Sequence, residues 1–340
     1  MYDAVLLLSF GGPEGPSDVM PFLENVVRGR GVPRDRLLAV AEHYRHFGGV
    51  SPINEQNRQL LDALSADFAA NGVDLPIYWG NRNWQPYVND TMRQMRADGV
   101  RRALAFATSA YASYSGCRQY LDDLTGARAA VGAGAPVVEK LRHYFDHPGF
   151  IDPHTDAVRA ALATLPATRR GTTRLVFTAH SIPLTMNAAA GPDGDLYRQQ
   201  LLATARLVAA EAAPDLDWDL VWQSRSGPPQ VPWLEPDIND HLEKLAGSGI
   251  TDVAVSPIGF VSDHLEVVWD LDNEAAETAG ELGLGYARAA TPGTDPRFVA
   301  MVRELVTERL DASAPVPELS GLGQNLACGS GGCCAAPPLH

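Results

Sequence analysis

Cysteine is scarce in this chain: four in 340 residues, at Cys117, Cys328, Cys333 and Cys334. Four thiols in a reducing compartment do not make a disulfide framework. Long apolar runs are missing too, since none approaches the roughly 20 residues that span a bilayer. The opening Met1-Tyr2-Asp3 has no basic region ahead of an apolar one, so no secretory leader and a cytoplasmic location are expected. Positive charge is the third shortage. Lys and Arg number 27 against 41 Asp and Glu, a formal net charge of −14, the wrong sign for a general nucleic-acid binder. No short-period repeat marks a solenoid.

What is present is a globular composition, 45% apolar and 20% charged, which excludes disorder over the whole chain. The length suits two domains. Short apolar runs read as strands at 4–10, 77–80, 102–108 and 136–138, and again at 174–178, 218–222 and 253–256. Helical spacing fills the gaps at 19–27, 87–97, 117–129, 151–165, 196–212, 238–246, 263–279 and 296–310. This alternation predicts an α/β protein with two doubly wound, Rossmann-like domains, each a parallel sheet flanked by helices. The first spans 1–145, completed by a C-terminal helix at about 295–311. The second spans 146–294, and a cysteine-bearing tail covers 312–340. No heptad or apolar interface segment stands out, so a monomer is expected.

Two constellations carry chemistry. His180 follows the apolar run 175–178, at the carboxyl end of a strand, where α/β enzymes place function. Its imidazole can accept a proton or bind a metal near neutral pH, although a turn histidine capped by Ser181 is an equal reading. Glu266, Asp270 and Glu274 recur every four residues and share one face of a helix. Such a row repels itself and is commonly a solvated surface. Here Val267, Val268 and Leu271 bury the other face, and the helix begins beyond another strand's end. A row of carboxylates leading into that rim can pass a hard cation or protons inward.

The segments Phe177-Thr178-Ala179-His180-Ser181-Ile182-Pro183 and Gly259-Phe260-Val261-Ser262-Asp263-His264-Leu265-Glu266 resemble the two signature segments of ferrochelatases. The openings Leu8-Ser9-Phe10-Gly11-Gly12-Pro13 and Gly48-Gly49-Val50-Ser51-Pro52-Ile53 are similar to that family, as is Trp222-Gln223-Ser224-Arg225-Ser226-Gly227-Pro228 with Pro232-Trp233-Leu234. The likeness runs from about residue 3 to residue 310, and several motifs in order make it specific.

The resemblance implies insertion of Fe(II), as substrate, into a porphyrin, with release of two pyrrole protons. His180 and Glu266 are then the catalytic pair, with Asp270 and Glu274 extending the iron path outward and His264 supporting the group. Carboxylates and imidazole suit Fe(II) and release it readily. Propionates call for cations or hydroxyls, for which Arg28, Arg30, Arg45, Ser51, Tyr111 and Ser113 are candidates, while Phe10 and Trp233 line apolar faces. Helix-end arginines with surface partners are the plainer account of the basic group, and ordinary core that of the aromatics. Certain bacterial ferrochelatases have a tyrosine near Phe10, and phenylalanine cannot ligate iron. Actinobacterial relatives are similar in using coproporphyrin III; protoporphyrin IX is the alternative. A cobalt or nickel chelatase, or a porphyrin or metal carrier without turnover, are the competing readings. Transient contact with neighbouring haem-pathway enzymes is the expected kind of partnership.

Actinobacterial ferrochelatases are also similar in pairing an internal cysteine with a C-terminal group that holds a 2Fe–2S cluster. Cys117 would be the internal ligand, with Cys328, Cys333 and Cys334 supplying the rest. Structural zinc is the competitor.

Overall fold

The computed structural model describes residues 1–29, 31–227, 230–322 and 333–336. The first half runs β1 (Ala4–Ser9), α1 (Val19–Val26), α2 (Arg34–His46), α3 (Ile53–Ala70), β2 (Ile77–Asn81), α4 (Val88–Ala97), β3 (Arg102–Ala107), a π-turn (Tyr114–Arg118), α5 (Gln119–Val131) and β4 (Val137–Lys140). The second runs α6 (Pro148–Thr164), β5 (Thr173–His180), α7 (Leu184–Ala188), α8 (Leu196–Ala212), β6 (Trp218–Gln223), α9 (Ile238–Gly247) and β7 (Asp252–Ser256). It continues with α10 (Leu265–Val268), a π-helical segment (Trp269–Glu274), α11 (Ala275–Glu281), β8 (Gly285–Arg288) and α12 (Pro296–Leu310).

Each half is a four-stranded, wholly parallel sheet, ordered β2-β1-β3-β4 and β6-β5-β7-β8. The winding is the same in both, so the two-sheet Rossmann-like architecture expected from the alternation is the one observed. β1 and β5 are equivalent central strands. In each sheet the order reverses beside that strand, and the crevice of a doubly wound sheet opens at its carboxyl end. Those ends are Ser9 and His180.

All six residues of β1 are buried, as are six of the eight in β5. That two-faced burial explains why these strands read as continuous apolar runs rather than alternating ones. Leu7, Phe106, Tyr144, Phe150, Phe177 and Phe298 belong to one core that spans both halves. Each such side chain contributes about 1.5–3 kcal/mol on burial. α12 packs on both α6 and α3, closing the halves against each other.

Four of these elements have no counterpart in the sequence reading: α2, α3, the five-residue α7 and β8. Polar residues crowd α2 and α3, and their apolar contacts are few per turn, among them Leu37, Ala41 and Tyr44 in α2. The single helix expected over 263–279 is instead three pieces, with a π segment between α10 and α11. Likewise the helix expected from Cys117 starts with a π-turn, and α5 begins at Gln119. Among the described residues, no helix is long and apolar enough to cross a membrane.

Candidate active site

β5 delivers His180 to the rim. Its neighbours across the sheet are fixed by register: His180 lies opposite Gln223 of β6, and Phe177 opposite Ser256 of β7. After β7 the chain lies directly on β5. A Cβ on Gly259 would come 2.6 Å from that of Ala179, so only glycine permits this approach. The approach brings α10 to the rim, and the imidazole Nε2 of His180 stands 3.8 Å from a carboxylate oxygen of Glu266. Both side chains are partly open to solvent. The His180 ring bonds through Nδ1 to the carbonyl oxygen of Ser181, at 2.5 Å. A carbonyl only accepts, so Nδ1 carries the proton and the Nε2 lone pair faces Glu266.

The acidic run divides. In an α-helix every fourth residue overshoots a full turn by about 40°. The wider i→i+5 turns of the segment Trp269–Glu274 take that drift back, which keeps Glu266, Asp270 and Glu274 in file. Asp270 accepts hydrogen bonds from Ser224 Oγ and from Gln223 Nε2, the latter at 3.2 Å. Burial raises its pKa to about 7; the Ser224 hydrogen bond opposes this, and the Glu266 and Glu274 charges add to it. Asp263 and Asp272 turn away to Arg288 of β8, an ion pair the sequence did not reveal. Among the described residues, no three His, Cys, Asp or Glu side chains form a cage for a resident metal.

His264 occupies the N-cap position of α10 and packs edge-on against Phe260, 5.3 Å between ring centres. Burial chiefly lowers its pKa. Trp269 is stacked on His43 of α2 at 3.9 Å and flanked by His46, tying the π segment to the first half.

The other sequence candidates scatter. Phe10 packs edge-on against Phe22, and Arg28 is exposed. Arg45 pairs with Glu42 one turn away. Trp233 is partly buried, and its indole Nε1 has no partner among the described residues. Three hydroxyls are already engaged. Ser51 Oγ accepts from the backbone N–H of Leu265, at 3.2 Å, and so anchors the start of α10. Tyr111 is buried and donates to the carbonyl of Ile258, at 2.7 Å. Ser113 caps the π-turn, accepting from Gly116 N–H. Arg30 and Cys328 lie outside the described residues.

Sequence reasoning missed Gln223 and Ser224 as partners of Asp270, although both sit inside a segment it singled out. Ser224 has φ +60°, a left-handed conformation uncommon for a residue other than glycine and a mark of functional sites.

Cys117 is fully buried on the π-turn. Cys333 and Cys334 carry sulfurs 3.7 Å apart, and Cys334 is buried in the same core as Cys117, with its backbone N–H on Ala189 O. Earlier in the tail, Ser320 Oγ bonds to Asp146 and Arg142 to the carbonyl of Pro317. Cys334 also has φ +56°. Buried His143 interacts with the Cys117 thiol, which partly offsets the lowering of its pKa by burial.

Two parallel sheets of the same winding thus bring a histidine and a row of carboxylates to one rim. A solved structure described as SirB from Bacillus subtilis with Fe3+ shares the fold, with a TM-score of 0.54 at 13% identity over 91% of this chain and 98% of that one. The family description Ferrochelatase matches residues 2–310, and the chain belongs to that family. It is 61% identical to a protein of Nocardia farcinica named coproporphyrin III ferrochelatase, over 98% of this chain and 96% of that one. A protein of the same name in Mycolicibacterium smegmatis is 60% identical, over 92% of each chain.

Proposed function

We infer that this chain is a coproporphyrin III ferrochelatase: it inserts Fe(II) into coproporphyrin III in haem biosynthesis, giving iron-coproporphyrin III and two protons. The observation that carries the reaction is the facing of His180 Nε2 and Glu266 at the head of the carboxylate file. The name shared by the Nocardia and Mycolicibacterium relatives supports the porphyrin.

The reaction needs iron to shed water, two N–H protons to leave, and the macrocycle to be held over the metal. Glu274, Asp270 and Glu266 replace water ligands one at a time, which lowers the desolvation barrier without trapping the ion. His180 Nε2, with its lone pair exposed, takes a pyrrole proton, and Glu266 shares it or the iron. Asp270, poised near neutral pH, can hold a proton and give it up again, which a carboxylate at its ordinary pKa does poorly. Arg28, Arg30 and Arg45 offer propionate partners, and Phe10 and Trp233 apolar faces. A metalation assay with coproporphyrin III and protoporphyrin IX side by side tests the reading. Preferential turnover of coproporphyrin III supports it, preference for protoporphyrin IX overturns the porphyrin, and binding without turnover makes the chain a carrier.

A 2Fe–2S cluster held by Cys117, Cys328, Cys333 and Cys334 belongs to the same proposal. Two thiolates at about 2.3 Å on one tetrahedral metal lie about 3.8 Å apart, close to the Cys333–Cys334 spacing. The buried Cys117 and the returning tail support it further. When bound, the cluster would serve as a cross-link between the tail and the body.

A further inference from the structure

We propose that Tyr197 is a positioning residue for His180, through the peptide plane that joins His180 to Ser181. This rests on His180 being the proton acceptor.

The plane is held at both ends. Its N–H, from Ser181, donates to the carbonyl of Gln223 at 2.8 Å and continues the pairing of β5 with β6. Its C=O, from His180, accepts from the phenol of Tyr197 at 2.9 Å. A peptide unit pinned by donor and acceptor cannot rotate without losing a buried hydrogen bond. Fixing it sets the peptide on the N-terminal side of Ser181, and the Ser181 hydroxyl, held on the carbonyl of Leu234 at 2.8 Å, restrains the residue whose own carbonyl comes next. That carbonyl accepts from the His180 ring. The phenol thus sets, at one remove, which ring nitrogen carries the proton and which faces Glu266.

Tyr197 is itself held firmly. It is buried on the first turn of α8, edge-on to Tyr111 at 6.2 Å and tilted over Trp222 at 5.9 Å. Three residues along, Gln200 accepts from the backbone N–H of Ala112 at 2.7 Å, which fixes α8 against the first half. Burial raises the phenol pKa, so the hydroxyl remains a donor throughout the range in which imidazole titrates.

The test is Tyr197→Phe, which keeps the ring and removes one O–H. The expected result is a loss of about tenfold in kcat, the effect of one buried hydrogen bond, with KM for porphyrin and iron within about twofold. ¹⁵N spectra of histidine-labelled protein provide a readout that packing alone would not move. In the wild type, the His180 ring should carry its proton on Nδ1; in Tyr197→Phe it should show a mixture of tautomers. Unchanged kcat with an unchanged tautomer overturns the proposal, as does a wild-type proton on Nε2. A loss traced only to lower thermal stability, with the tautomer intact, overturns it as well. His180→Ala separates the underlying reading: normal turnover in that variant sinks the role of His180 itself, whereas an inactive His180→Ala beside a fully active Tyr197→Phe sinks only the role of Tyr197.

Discussion

Ser224 Oγ donates to the carboxylate of Asp270, joining the loop after β6 to the middle of the acidic file. The bond closes a network that runs from Thr178 of β5 through Gln223 to Asp270. The middle carboxylate of the row is therefore held by side chains from the end of β6 and the loop after it, while Glu274 is exposed.

That enclosure makes stability depend on pH. The pKa of Asp270 rises to about 7 in the folded protein, against about 3.9 when unfolded. Between these values the folded state holds one proton more, so this group's contribution to stability is complete below about pH 4 and is lost as pH climbs through 7. Asp270→Asn cannot ionise. Its melting temperature should gain on wild type as pH goes from 5 to 8, and a gap that does not change with pH would mean Asp270 is charged throughout.

For the chemistry, His180→Ala should cut kcat by roughly 10²–10⁴-fold, the range for a positioned general base, in a folded protein. Glu266→Gln keeps shape and removes charge, and should lose activity comparably. Asp270 and Glu274 variants should be milder and register mainly as a higher KM for Fe(II). Steady-state metalation with circular dichroism as the folding control decides this; near-normal turnover in His180→Ala would falsify the assignment.

Coproporphyrin III should show a higher kcat/KM than protoporphyrin IX. Arg45→Ala should raise the porphyrin KM by up to about tenfold with little change in kcat, as the loss of one charge-assisted contact made equally in ground and transition states does. A fall in kcat at constant KM would place Arg45 in the chemical step instead.

Purified protein should be red-brown, with about two irons and two acid-labile sulfides per chain, as four thiolates on a 2Fe–2S centre require. Any one Cys→Ser change at 117, 328, 333 or 334 should bleach the colour and lower thermal stability. Elemental analysis showing one zinc and no sulfide would replace the cluster with a structural zinc site.

Much of the fold was legible because burial leaves a local trace. β1, β3, β5 and β7 are covered on both faces, so each is a continuous apolar run that can be read without knowing its partners. α2 and α3 left less: their exposed faces dilute the pattern, and β8, four residues long, has one buried position. The file of Glu266, Asp270 and Glu274 was visible from spacing alone, since four residues nearly complete a helical turn.

By itself, then, the sequence determined the alternation of strands and helices, the place of His180 at a strand's end, and the periodic acids. Tertiary structure decided what those groups meet. Asp263 and Asp272 lie in the same acidic run but belong to Arg288, and nothing in their spacing distinguishes them from Asp270. Tyr111 looked like a cleft hydroxyl, yet it reaches Ile258, 147 positions along the chain. The π segment arises where α10 must meet Ser51 and Trp269 must meet His43. Each of these depends on hydrogen bonds and ring contacts between residues far apart in the chain. Such partners are chosen only when the two sheets close on one core, because local propensity has no term for a donor that arrives from another sheet.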